Sequence, residues 1–505
     1  MTQTDRGAPT PKTTTDRPRE IVETGPSRRP LRVVMFVYND VTRDSRVLRE
    51  AATLVAAGHR VTIMGRHGPD DRQITRHERD GFDIVLVPIP HRWRTWVYRY
   101  RRPWRMYGLV RRRFLYHLLR GPAGWVRSIV FVGVAILVAI ASLVRLPFMA
   151  ISGGLHPAKH DSTIDWLIRW RYGILGWNRD VAAAAPAADV YHGHDLTALP
   201  AAVRAQRRHG GHLVYDSHES FMDSGTNVNR SWWGKAVLRW FERRQARHAT
   251  ALVTVNRSLG EIMGPRFGIK RVVVVYNTPA RWEAPAERPN LLRDVTGLPS
   301  DAPIALYHGA FFLHRGLEEL AAALLEPGME RVHAVYLGYG SQEAALREMA
   351  ADPRYGGRIH VLEAVAPAVL PLWVASADVG VMPIQASTLN HRLSSPNKLF
   401  ESLATGLPVV VSDFTEMRRI VLEDPDGPLG AVCDPADPAS VAKAIQSILD
   451  LGEEARDALR TRCLRAAHER WNWETESVKL VALYDSLALE AAGSGNGNAS
   501  SSGRS

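Results

Sequence analysis

The chain has 505 residues, 45% of them hydrophobic, and carries 64 lysines and arginines against 52 acidic residues, a net charge of +12. That length exceeds one ordinary domain and is enough to build cores in two, which excludes small stapled scaffolds and wholly disordered chains. Cys433 and Cys463 are the two cysteines and have no paired spacing. They support neither a disulfide framework nor a thiolate zinc site, and predict a reducing compartment.

Residues 1–30 are rich in Thr, Pro and Arg without an apolar core, and read as a disordered tail and not a secretory signal. Leu31 to Tyr38 is a buried-strand pattern, followed by a polar loop, a helix from Ser45 to Ala57 and a strand from His59 to Met64. This is a βαβ start. The loop Asn39 to Arg46 has no Gly-x-Gly-x-x-Gly, so a nicotinamide cofactor is not expected. Asp44 and Arg46 are candidates for contacts in a cleft, with helix capping and a surface ion pair as their plain structural roles.

From His91 to Arg127 the chain carries eleven arginines, interleaved with Trp and Tyr, and no acidic residue. Ser128 to Val144 is uncharged and mostly apolar. As a helix it reaches roughly 26 Å, the short limit for a bilayer. Residues 31–90 and 186–280 are expected to share one sheet, so a single crossing would separate strands that must pair. An insertion over about 91–180 that enters and returns, or lies in one leaflet, suits an anionic membrane surface. A buried helix covering the domain is the structural alternative, and nucleic acid is disfavoured because an apolar run adds nothing to polyanion binding.

Asp189 to Asp195 and Leu213 to Ser220 each read as a short strand ending in polar residues. Ligands collect at the carboxyl ends of strands in an open parallel sheet, which places His194, Asp195, His218 and Glu219 near a cleft. The two histidines of His192-Gly193-His194 are expected to alternate faces and not converge, so no metal site is expected there. Strands at Ala251 to Val255 and Val272 to Val275 follow, then a Pro-rich, charged linker over 281–300.

The second domain, 301–465, opens with a strand at Ile304 to His308 and then Gly309 to Gly316 before an Ala/Leu-rich helix. A strand ending in glycine, with Arg315 just before the next helix, is a candidate diphosphate cradle. Further strands at Ala334 to Gly338, Ile359 to Leu362 and Asp378 to Met382 alternate with helices, as doubly wound sheets do. The stretch SSPNKLFESLATGLPVVVSD from Ser394 to Asp413 then predicts Ser395 as N-cap, Pro396 at the first helical position, and a helix stopping at Gly406 before a buried strand. Asn397 and Glu401 share a helical face, and Lys398 in the first turn suggests an anionic guest. Residues 466–490 carry Trp471 and Trp473 ahead of a helix, and 491–505 is a Gly/Ser/Asn tail.

The Ser-Pro-Asn-Lys-Leu-Phe-Glu string resembles the nucleotide-binding segment of family 4 glycosyltransferases, and the resemblance covers residues 31–90 and 186 to about 485. It implies the GT-B fold, two Rossmann-like α/β domains facing each other across a cleft, with 31–280 on the acceptor side and the 466–490 helix crossing back. It also implies that Glu401 holds the donor ribose, that His194 contacts the donor sugar, and that Gly309, Arg315, Asn397 and Lys398 line the donor site. Two positions depart from the family pattern. Ala310 stands where an arginine is usual, and Leu393 where a carboxylate normally addresses the donor sugar. Asn390, Ser394 and Asn397 are candidates to replace it.

The expectation is a retaining, hexosyl-type transferase without cofactor or essential metal. It moves sugar from a nucleotide-sugar donor to a glycan or lipid-linked acceptor in cell-envelope or exopolysaccharide synthesis, peripheral or monotopic on the cytoplasmic face of the plasma membrane. The alternatives are a catalytically silent nucleotide-sugar-binding scaffold of the same fold and a membrane-surface binding protein.

Overall fold

The structure, a computed structural model, describes residues 29–90 and 170–497 apart from positions 43, 69, 70, 225, 226, 228 and 229. The basic and apolar stretch from 91 to 169, on which the membrane expectation rests, lies outside the described residues. Among those described, no helix is long and apolar enough to cross a membrane.

The N-terminal domain is built on an eight-stranded sheet in the order β3-β4-β2-β1-β5-β6-β7-β8. Its strands are β1 Arg32–Phe36, β2 Arg60–Arg66, β3 Thr75–Arg79, β4 Phe82–Val87, β5 Val190–His194, β6 His212–Ser217, β7 Ala251–Thr254 and β8 Val272–Val274. All pair in parallel except β3 with β4. Runs such as Val33 to Phe36 are buried because helices cover both faces, as parallel sheets require. The β3–β4 hairpin was not expected from the sequence pattern, since all five residues of β3 are exposed. Asp80 and Gly81, with φ of 50° and 81°, make its two-residue turn.

The C-terminal sheet has six parallel strands in the order β11-β10-β9-β12-β13-β14. They are β9 Ile304–Ala310, β10 His333–Tyr339, β11 Ile359–Glu363, β12 Val379–Met382, β13 Val409–Ser412 and β14 Gly430–Cys433. A helix, Leu291–Thr296, lies in the stretch read as linker, and its Leu292 is buried with Ile304 and Leu306.

Both sheets reverse their winding once. The chain leaves β1 toward β2 and returns on the other side with β5; it leaves β9 toward β10 and returns with β12. At such a reversal the adjacent loops run in opposite directions and leave a crevice beyond the strand ends. The two crevices face each other. After the C-terminal domain the last helix, Trp473–Gly497, packs Leu480, Leu483, Tyr484 and Leu487 into the N-terminal core against Val33, Leu54 and Val61.

Candidate functional site

A cleft of about 1060 Å³ lies between the domains, lined by Asp44, Arg46, His218 and Glu219 on one side and by Arg315, Asn390, Ser394 and Asn397 on the other. In the C-terminal domain β9 ends in His308, Gly309 and Ala310, which with Lys398 and Glu401 lie next to Arg315 and Asn397 of that lining but are not among it. His308 is buried, and its Nε2 lies 3.0 Å from Glu401 Oε2. Burial alone would raise the Glu401 carboxyl, but the His308 hydrogen bond and the charges of His308, Lys398 and Arg49 outweigh it and hold it below the usual range. The Glu401 side chain keeps 34% of its surface exposed. It is a fixed, ionised acceptor with room for a partner.

Lys398 is one turn away. Its Nζ sits 3.4 Å from the centre of the Tyr307 ring, a cation-π seat. A Cβ placed on Gly309 would lie 3.6 Å from that same Nζ. Burial first, then the charge of Arg315, hold the Lys398 ammonium well below the ordinary lysine range, against Glu401. His391 is likewise pushed down to about 4 by burial, Arg315 and His314. Two neighbours of Arg315 that resist protonation mark a field that favours an anion.

Backbone geometry shapes the same wall. Gly316 has φ of 80°, and a Cβ there would stand 2.2 Å from the Pro383 carbonyl oxygen, so only glycine lets the Arg315 loop lie against the end of β12. The helix carrying Glu401 runs Asn397–Ala404, one residue later than expected, because Pro396 is its extended cap residue. Ser395 does not cap it; its Oγ instead accepts from Asn256 Nδ2 of the opposite domain at 3.2 Å.

On the N-terminal wall the expected residues divide. Asp44 caps the helix Ser45–Ala56 by accepting from Val47 N at 3.2 Å, and accepts from Asn39 Nδ2 at 2.7 Å. Arg46 is not in a surface ion pair: it is buried, bonds both Asp216 oxygens at 3.2 Å, and lies 2.9 Å from Glu50. His192 and His194 do not alternate faces either. Two residues apart on a strand they share a face, and their rings stack with centroids 4.3 Å apart.

Glu50, His192, His194 and Asp216 thus bring four donor atoms within 4.8 Å of one another. Arg46 pairs with Asp216 and lies against Glu50, whose carboxyl burial and the Asp216 charge raise to about 8.

His194 is only 1% exposed and forms the layer beneath the cleft. Its Nδ1 is 3.3 Å from Asp216 Oδ2 and 3.4 Å from His218 Nε2. On this wall the imidazole that reaches the cleft is His218. Burial would lower the His218 imidazole, but the carboxylates of Asp195 and Asp216 raise it to about 10. Asp195 holds φ of 55°, and its Oδ1 accepts from His218 N at 3.0 Å. A non-glycine residue in the left-handed region beside a cleft stores strain that the surrounding bonds hold in place.

Leu393, Asn390 and Asn397 serve domain contact, while Ser394 bonds within its own domain. The Leu393 side chain packs against the N-terminal core cluster, and its carbonyl accepts from Asn256 Nδ2 at 2.8 Å. Asn390 accepts from Ser220 N at 2.8 Å and donates to Ser220 O at 3.0 Å. Ser394 Oγ bonds His391 O at 2.9 Å, and Asn397 Oδ1 accepts from Asn277 Nδ2 at 2.9 Å. Sequence reasoning missed His308, Asn256 and Asn277. His308 precedes a strand-ending glycine, which is the one local signal that could have marked it.

The family model described as "Glycosyl transferases group 1" matches residues 302–451, and that described as "Glycosyl transferase 4-like domain" matches 141–280. Glycogen synthase of Mycobacterium tuberculosis is 27% identical over 316 residues, which span 59% of this chain and 68% of that protein. D-inositol 3-phosphate glycosyltransferase of Xylanimonas cellulosilytica is 32% identical over 248 residues, 46% of this chain and 56% of that protein. Among solved structures, sucrose-phosphate synthase from Thermosynechococcus elongatus superposes with a TM-score of 0.60 at 15% identity, covering 91% of this chain and 99% of its own. HepE of Anabaena in complex with UDP-glucose superposes with a TM-score of 0.56 at 12% identity, covering 90% and 100%. At those identities the likeness concerns the fold.

Proposed function

Because the chain belongs to the group 1, family 4-like glycosyltransferases and has their GT-B fold, we propose a specific course for its reaction. It is a glycosyltransferase that draws on a nucleotide-sugar donor. It moves a hexosyl unit with retention of anomeric configuration to a glycan or lipid-linked acceptor, in cell-envelope or exopolysaccharide synthesis, while associated with the cytoplasmic face of an anionic membrane.

The observation that carries the donor assignment is the Glu401, His308 and Lys398 group beside Gly309 and Arg315. Glu401 accepts from the ribose hydroxyls. Arg315, Lys398 and the helix end at Asn397 hold the diphosphate, which becomes the leaving group. Charge develops on its bridging oxygen as the glycosidic bond breaks, and preorganised cations stabilise that charge in a low-dielectric site. The sugar then lies toward the opposite wall, where the His218 imidazolium, held between Asp216 at Nε2 and Asp195 at Nδ1, supplies positive charge and Glu219 accepts. No metal or organic cofactor is part of this reading.

Purified full-length protein mixed with a panel of nucleotide sugars tests it by thermal shift and by release of nucleoside diphosphate, and NMR of the product gives the anomer. Glu401→Ala is expected to weaken donor affinity by about 1.5 to 3 kcal/mol, the worth of hydrogen bonds to a charged acceptor. Unchanged affinity in a folded variant removes Glu401 from the site. The Ala310 and Leu393 departures favour one rival, a nucleotide-sugar-binding protein without turnover. Binding without diphosphate release, whatever acceptor is supplied, selects that rival.

A further inference from the structure

The helix Trp232–Ala246 connects β6 to β7 and buries one stripe, Gly234, Leu238, Glu242 and Ala246, each four residues from the last. Its opposite face is apolar as well. Trp232 is 82% exposed and Trp240 62%, with Trp233 and Val237 exposed beside them. Arg239, Arg243, Arg244 and Arg247 are exposed around these rings, and the Arg244 guanidinium stacks 5.7 Å from the Trp240 ring centre. Glu242 is the one carboxylate of the helix, and it is turned inward, where Tyr215 donates to it at 2.9 Å. The outer face therefore joins indoles to guanidiniums with no acidic residue among them.

We propose that this face is the docking surface for an anionic lipid bilayer, an inference that rests on the membrane-associated reading above and assigns the surface that meets the lipid. Indole rings settle at the boundary between headgroups and acyl chains, and arginines beside them pair with lipid phosphates. Charge argues against the two occupants closest at hand. A second copy of the face would set like charges against each other. The chain's own stretch from His91 to Arg127 has eleven arginines and no acidic residue, and is equally mismatched. The loop leading into this helix carries His218 and Glu219 to the cleft, so docking here holds the mouth of the cleft beside the bilayer, where a lipid-linked acceptor lies.

Flotation of the full-length protein with vesicles of phosphatidylcholine alone, and of phosphatidylcholine mixed with phosphatidylglycerol, tests the proposal. Partition onto the mixed vesicles, weakened by salt, is the expected result for the unaltered chain. Trp232→Ser with Trp240→Ser, and separately Arg243→Glu with Arg244→Glu, should each lower that partition about tenfold or more. Both pairs are exposed, so the thermal transition and donor binding should stay as they were. Undiminished partition of both variants overturns this assignment and leaves membrane association to another part of the chain. Absence of partition by the unaltered protein overturns both readings. Conversion of a dimer to a monomer by the tryptophan changes, with partition unaltered, makes the face a self-association surface and also overturns the proposal.

Discussion

Lys398 occupies a place where a cation is hard to keep, half-buried on the Tyr307 ring and within the field of Arg315. A bound diphosphate supplies the missing negative charge and raises the ammonium back toward its ordinary range. Binding must then take up a proton wherever the free lysine is partly neutral, so diphosphate affinity falls as pH rises. Calorimetry of nucleoside diphosphate binding in buffers of different ionisation enthalpy is expected to show this uptake, and Lys398→Arg to abolish it while retaining binding; heats independent of buffer refute the linkage. Glu50 makes a second pH device. Burial and the Asp216 charge raise its carboxyl to about 8 against Arg46. An acid raised in the folded state binds more protons there than when unfolded, so its contribution is full below the unfolded value near 4.5 and declines as pH climbs toward about 8. Glu50→Gln should flatten the fall of the melting temperature across that interval, and an unchanged slope places the titration elsewhere. Lys398 and Glu401 were legible because their spacing on a short helix is a local property. His308 was not, because its role arises only when β9 is laid beside that helix.

Elements were legible where burial imposes a pattern. The expected apolar strands of both sheets stand within about three residues of their places, but β4, apolar and buried, was not anticipated, β3 has no inward face to read and β14 is only Gly430–Cys433. The Asp80-Gly81 pair was a turn signal that hydrophobicity alone did not reveal. His192 and His194 were assigned to opposite faces although the period of a strand is two, and their stacking follows from that period. The Arg315 loop offers a test at this scale. Gly316→Ala must both hold a left-handed φ, at about 1 to 2 kcal/mol, and move Pro383, whose carbonyl oxygen would otherwise be 2.2 Å from the new carbon. The loop should shift and carry Arg315 with it. Affinity for nucleoside diphosphate is then expected to fall more than affinity for nucleoside; equal losses show that the loop does not present Arg315 to phosphate.

At the scale of the whole molecule, the two doubly wound halves were readable from the alternation of strands and helices, whereas the contacts between them were not, since nothing local announces a partner far along the chain. Glu416 is the centre of one such contact. It accepts from Ser258 N at 3.0 Å, Ser258 Oγ at 2.6 Å and Tyr276 Oη at 2.5 Å, all from the N-terminal domain, and pairs with Arg419 at 3.0 Å. Glu416→Ala should cost about 2 to 5 kcal/mol, because buried donors lose their acceptor. A lower melting temperature with a wider interdomain angle in solution scattering is expected; a drop in stability without any change of angle assigns Glu416 to local folding. The last helix carries a different consequence. Trp473 N bonds Pro279 O at 2.8 Å, tying the outgoing and returning crossings together, and Tyr484 reaches His192 Nδ1 at 2.8 Å inside the first domain. During synthesis the N-terminal half emerges first, yet a side of its core awaits Leu480, Tyr484 and Leu487. Until Leu480 to Leu487 have left the ribosome, that half carries an uncovered apolar face, so the domain begun first waits on a helix made after the second.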